Sequence, residues 1–228
     1  MNIEGKIKDC EDNLKQINHF NPDPYYVNYF FEKYLESVID VFDGIFEEGN
    51  RDFGLFISGK CTKEKFEEKS IEKNDQLALK FLSWFKENYE NEHNSSYPNF
   101  IKKISCFYIE YNHLPEITIK ILANQRYKDD VFQSIKVGLT KGRIRSKQEL
   151  QIEIKRQIHV FLEKINQKRK SKNEPKVAEN QVIASAFLQI QNHEDFEISH
   201  ACEIYLSVMK RFLDESRNKI KRLTRWVD

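Results

Sequence analysis

Apolar positions recur at helical spacing along most of the chain. Ile3, Ile7, Cys10, Leu14 and Ile17 form a stripe over residues 3–18. Pro22 and Pro24 interrupt it, and Asp23 is placed to cap the next helix with Pro24 at its first position. Residues 24–48 carry the clearest pattern. Val27, Phe30, Phe31, Tyr34, Leu35, Val38, Val41, Phe42 and Ile45 make one broad apolar face, and Gly49 with Asn50 is the expected stop. Residues 53–61 read as a packed loop or short strand. Residues 62–73 read as a short charged helix capped by Thr62, and 75–90 as a helix on Leu77, Ala78, Phe81, Leu82, Phe85 and Tyr89. A further helix is predicted over Asn99 to Tyr111.

After Pro115 the rhythm changes to period two. Ile117, Ile119 and Ile121 alternate with polar residues, as do Ile135, Val137 and Leu139, which predicts two short strands joined as a hairpin around 124–130. Ser146 and Glu149 form a capping-box pattern that opens a helix to about Lys168 on Leu150, Ile154, Ile158, Phe161 and Ile165. Residues 169–180 read as a loop, and 182–190 as an apolar run compatible with strand or helix. A last helix starts at Phe196 or Ser199 and ends near Leu223.

Composition agrees with this rhythm. The 228 residues include 17 Phe, 10 Tyr and 2 Trp, enough rings for a core, but only 7 Gly and 5 Pro, too few for a turn-rich all-β fold. No segment approaches the ~20 apolar residues of a membrane span, and no repeat period appears. The expectation is one mainly α domain over 1–228, a helical bundle with a small β insert or hairpin near 115–140. The start, MNIEGKIKDCEDNLKQ, has no apolar signal region, so a cytoplasmic protein without membrane contact is expected.

Short motifs for chemistry are missing. Cys10, Cys61, Cys106 and Cys202 are scattered without a C-x-x-C pair, the six histidines form no H-E-x-x-H, and no phosphate-binding or dinucleotide loop occurs. No metal and no cofactor are expected. The charge distribution carries more information. Residues 1–100 hold 12 Lys+Arg and 20 Asp+Glu; residues 101–228 hold 25 and 16. Glu32, Glu36, Asp40, Asp43 and Glu47 form an acidic stripe, read as a solvated face suited to a basic partner surface. The segment 141–172 holds eleven bases and three acids, and a second run from Lys210 to Arg225 holds seven bases. Such runs attract phosphate. Lys141, Arg143, Arg145, Lys147, Lys168, Arg169, Lys170 and Lys172 are the candidate nucleic-acid-binding residues. The competing expectation is that the basic half matches the chain's own acidic half or a second copy. Most aromatics lie on helix core faces rather than between the bases.

The run from His19-Phe20-Asn21 through Phe56, containing FFEKYLESVIDVFDGIFEE and NRDFGLF, resembles uncharacterised helical proteins of the HEPN-like class, particularly archaeal ones. The segments ALKFLSWFKENYENE, FIKKISCFYIEYNH and the closing ACEIYLSVMKRFLDES are similar to later helices of that class. The resemblance implies a helical bundle that commonly dimerises. In catalytic members it implies metal-independent RNA cleavage by an Arg and a His with four to six residues between them: the His moves protons for the ribose 2′-hydroxyl and the Arg stabilises phosphate charge. This chain departs from that pattern. Tyr111-Asn112-His113 stands at the expected place without an Arg, and Arg156 and His159 have the right types at a spacing of three.

The leading expectation is therefore a non-catalytic, self-associating binding or assembly module with a basic surface for RNA or nucleotide. The alternatives are a divergent ribonuclease using His113 or His159 with Arg143, Arg145 or Arg156, and a protein-partner module, either antitoxin-like or a complex subunit. The expected partners are a second copy, RNA or nucleotide, or another protein.

Overall fold

The computed structural model describes residues 2–90, 117–123, 133–135, 147–188 and 196–225. The elements are helices α1 (Ile3–Phe20), α2 (Pro24–Asp52), α3 (Lys63–Glu72) and α4 (Gln76–Phe85), a π-helical turn (Lys86–Glu90), strands β1 (Ile117–Ala123) and β2 (Gln133–Ile135), helix α5 (Lys147–Ser171), a 3₁₀ turn (Glu179–Gln181), strands β3 (Val182–Leu188) and β4 (Phe196–Glu197), and helix α6 (Ile198–Thr224). The protein is mainly α with a small antiparallel sheet. Contacts divide it into two compact units: the first takes residues 1–15, 31–113 and 200–228, the second 16–30 and 114–199.

The first unit is helical and built around rings. Phe46, Phe66, Phe81, Phe85 and Phe212 are buried. Phe212 stacks on Trp84 at 5.5 Å between centroids and also meets Phe85 and Tyr89. The π-helical turn after α4 carries Tyr89, whose hydroxyl lies 2.8 Å from that of the buried Tyr205. Tyr34 Oη donates to the Cys202 carbonyl at 3.0 Å, so the largest buried polar side chains are partnered. Asp75 caps α4 by accepting from the amides of Leu77 and Ala78.

Two expectations change in this unit. Gly49 and Asn50 do not end α2, which runs to Asp52. Gly49 is inside the helix because a Cβ there would lie 3.0 Å from the Phe66 ring. The stop is Gly54 at φ 64°, where Leu55 N donates to Asn50 O and Gly54 N to Arg51 O. Asn50 instead clamps the following loop, its side chain bonding both the amide and the carbonyl of Ile57. Thr62 occupies the N-cap position of α3 but makes no side-chain cap hydrogen bond.

Gly49→Ala is expected to destabilise the protein by about 1–2 kcal/mol. The helix-propensity gain of about 1 kcal/mol is outweighed because Phe66 is fully buried between Phe46, Phe53 and Phe81 and cannot yield. Urea unfolding measures it, and a stabilised variant would show that Phe66 has room to move.

The second unit contains the sheet, in order β2-β1-β3-β4. β1 and β2 pair antiparallel as the expected hairpin, with β2 described over Gln133–Ile135, while Val137 and Leu139 lie outside the described residues. The ambiguous run after Val182 is a strand, pairing with β1 from Ile117↔Leu188 to Ala123↔Val182. Ile119, Ile121, Val182 and Ala184 face α5, which packs Leu150, Phe161 and Ile165 against them. Ser185 belongs to the other face by parity. It donates to Glu197 at 2.6 Å and accepts from Asn21, whose Oδ1 in turn receives the Ala186 amide. Asp23 accepts from the Tyr25 amide at the start of α2, as the Asp-Pro sequence implies.

The predicted helix over Asn99–Tyr111 and the Ser146 cap lie outside the described residues.

Candidate nucleic-acid interface

The acidic stripe of α2 is occupied from within its own unit. Asp40 pairs with Lys6 and Lys60, each at 3.0 Å, and Asp43 pairs with Lys60 at 2.8 Å. Among the described residues no cluster of His, Cys, Asp and Glu has the arrangement of a metal site. The two aspartates respond differently. Burial pushes Asp40 up, but the hydrogen bonds from Lys6 and Lys60 outweigh it and hold the carboxyl below its usual range. At Asp43 burial wins over Lys60 and the carboxyl sits above its usual range. Asp40 therefore adds stability above its unfolded pKa that is lost as pH falls through its lower folded value. Asp43 does the reverse and favours the fold as pH falls through its raised value. Lys60→Met should move both midpoints upward, which carboxyl NMR titration reads; an unmoved Asp43 would contradict the assigned pairing.

The buried cysteines offer no reactive centre. Burial pushes the Cys10 thiol up to about 12 and Cys61 to about 11, and it raises Cys202 as well.

Of the candidate basic residues, Lys141, Arg143 and Arg145 lie outside the described residues, as does His113. Lys147 opens α5. Arg156 is engaged with Glu153 through two hydrogen bonds at 2.7 and 3.0 Å. His159 is exposed and lies 3.3 Å from Glu163. Each member of the Arg156–His159 pair thus has an acid of its own helix as partner.

Arg169 departs furthest from expectation. It is 7% exposed, donates through Nε to the Pro175 carbonyl at 2.6 Å and lies 3.6 Å from Glu174. The reason is its row on the helix: Phe161, Ile165 and Arg169 follow at intervals of four, so the arginine stem continues the buried stripe. This spacing was visible in the sequence. Asn166, which sequence reading did not single out, accepts from Val177 N at 2.7 Å and donates to Val177 O at 3.0 Å. Asn173, at φ 56°, ends the helix in a Schellman closure, with Glu174 N donating to Arg169 O. Gln181 then holds the Ala178 amide at 2.8 Å.

The connection after α5 is consequently tied at Glu174, Pro175, Val177 and Ala178. Around it stand Lys164, Lys168, Lys170, Lys172 and Lys176, all exposed, with Lys155 further up the helix. None of these six has an ion-pair partner among the described residues. Lys155, Lys164 and Lys176 are additions to the predicted set. Elsewhere basic residues are paired more often: Lys210 with Glu11, and Arg217 with both Glu48 and Glu4. Burial opposes the charge on Arg217, but the Glu48 bond dominates and raises its pKa.

Counted by unit, the charge split is milder than the halves of the sequence suggest. The first unit has 21 Lys+Arg against 24 Asp+Glu and the second 16 against 12. The second unit carries the excess, and among the described residues it is concentrated at the end of α5.

Among the described residues most aromatics are buried or half-buried, and the exposed ones of the second unit gather at the start of α2. Tyr25 is 71% and Tyr29 51% exposed, beside a stacked Phe20–Tyr26 pair at 4.4 Å.

No family model, curated protein or solved structure matches the chain. Among the described residues no helix is long and apolar enough to cross a membrane.

Proposed function

We propose that this protein is a non-catalytic, self-associating binding and assembly module of HEPN-like type whose lysine-rich turn at the end of α5 takes the phosphate backbone of RNA. The observation that supports it is the cluster of exposed lysines without ion pairs, arrayed on a connection held by Asn166 and Arg169. Cations at a helix C-terminus are favoured by the helix dipole alone. Lys176 lies five residues beyond the helix, so the dipole does not account for it. The ring-built helical unit supports the HEPN-like part of the reading. Self-association is tested by sedimentation.

A salt series with labelled single-stranded RNA tests the binding. Five phosphate contacts give a log–log slope of about −3.5, so a fourfold rise in salt should weaken affinity about 100-fold. Replacing Lys168, Lys170 and Lys172 with Gln should flatten the slope to about −1.4. No binding at low salt would refute the reading.

A second reading, a protein-partner module, is favoured by Tyr25 and Tyr29, since exposed tyrosines with few charges beside them resemble the centre of a protein interface. A ribonuclease draws less support, because Arg156 and His159 are each engaged by a neighbouring acid.

A further inference from the structure

We infer that RNA seated on the α5 turn is read at its bases by the exposed amides of Gln167, Asn173 and Asn180, with a preference for adenine; the inference rests on the RNA-binding reading above and adds a base preference to it. The stretch from Asn166 to Gln181 contains five carboxamides, and they divide by burial. Asn166 and Gln181 are half-buried and build the turn: Asn166 bonds both the amide and the carbonyl of Val177, and Gln181 holds the Ala178 amide. Gln167, Asn173 and Asn180 are exposed, and their side chains make no hydrogen bond among the described residues.

The backbone that carries these free amides is held in place. Gln167 lies in α5 between Asn166 and Arg169, both of which bond the connection that follows the helix. Asn173 has φ 56° at the Schellman closure, between the Lys172 and Glu174 amides, which both donate to the Arg169 carbonyl. Asn180 is the middle residue of the 3₁₀ turn, and Gln181 beyond it bonds Ala178 through both its backbone amide and its side chain. A ligand that pairs with these amides orders side chains and not the chain, which keeps the cost of binding low. Lys168 follows Gln167, Lys172 precedes Asn173, and Lys176 stands four residues before Asn180. The amides and the phosphate-attracting charges thus share one short segment.

The preference follows from the shape of the carboxamide. Its NH₂ donor and its carbonyl acceptor lie side by side in one plane, so it pairs with a base edge that sets an acceptor beside a donor. Adenine presents N6–H beside N7 on its Hoogsteen edge and N6–H beside N1 on its Watson–Crick edge. Cytosine and uracil offer such a pair on the Watson–Crick edge alone. Guanine has two acceptors on its Hoogsteen edge, which suit an arginine fork and not an amide. Adenine therefore has two edges on which an Asn or Gln makes both bonds. The lysines add attraction to any phosphate and no choice among bases.

The test uses the full chain and labelled single-stranded RNA oligomers of equal length made only of A, only of C or only of U. The A oligomer should bind about tenfold more tightly than the other two. The combined variant Gln167→Ala, Asn173→Gly and Asn180→Ala should bring the three oligomers to within about twofold of one another by weakening the A oligomer. Glycine at 173 accepts the positive φ, so the turn is kept. No charge is removed, so the salt slope should stay the same while the helical circular dichroism is retained. Wild-type affinities within about threefold of one another, tighter binding of C or U, or an adenine preference that survives the three substitutions would overturn this inference and leave the RNA reading standing. Failure of every oligomer to bind at low salt would overturn both.

Discussion

Arg169→Lys should weaken RNA binding about tenfold although it leaves the net charge unchanged. The guanidinium is not at the surface; it holds the Pro175 carbonyl at 2.6 Å and so fixes the turn that bears Lys172 and Lys176. A lysine there keeps the charge but not the planar donor that fits this position. Freeing the turn means that RNA must order it on binding, at a cost of about 1–1.5 kcal/mol for these side chains, or about tenfold in affinity. Because Lys172 and Lys176 remain, the salt slope should change little. Asn166→Ala should act the same way by releasing Val177. If Arg169 contacted phosphate directly, the pattern would invert: lysine would substitute well, and Arg169→Gln would lower the slope by about 0.7. Parallel salt series on Arg169→Lys and Arg169→Gln separate the two roles.

Phe212→Ala should cost about 3–5 kcal/mol, the range for emptying a buried phenylalanine site. Phe212 has no exposed surface. Its ring lies parallel to Trp84 within 5° and contacts Phe42, Phe85 and Tyr89. These neighbours come from α2, α4 and the π-helical turn, so no single side-chain rotation refills the space. Against a typical total of about 5–15 kcal/mol, the variant sits near the edge of folding at 37 °C. Urea titration followed by circular dichroism reads the loss, and Phe212→Leu should recover part of it. A cost below about 1 kcal/mol would mean that the aromatic cluster collapses to fill the gap.

The helices were legible because each buries one face against a core, which imposes period 3.6 on the sequence. The nine apolar positions read in α2 are the plainest instance. β3 was ambiguous for the opposite reason. In VIASAFL both faces are largely covered, one by α5 and the other in the Ser185–Phe187 region, so alternation fades. Gly49 looked like a terminator because sequence alone does not show the Phe66 ring against its Cα. At the candidate interface the lysines were visible as a run, but their arrangement was not. Asn166 reaches Val177 across eleven residues, a side-chain-to-backbone link with no periodic signature. Arg169 was counted with the surface bases because composition weighs charge and ignores the row a residue occupies.

The small polar group at Asn21 has a consequence for how copies of this chain meet. β4 covers only Phe187 and Leu188 of β3, so the ladder on that side would stop at Ala186 with an amide pointing outward. Asn21 supplies a carbonyl oxygen there from its side chain, and Ser185 is tied to Glu197 beside it. A strand from another molecule finds that donor already taken. Capping an edge donor from a side chain is one way a sheet is made less open to pairing with another chain.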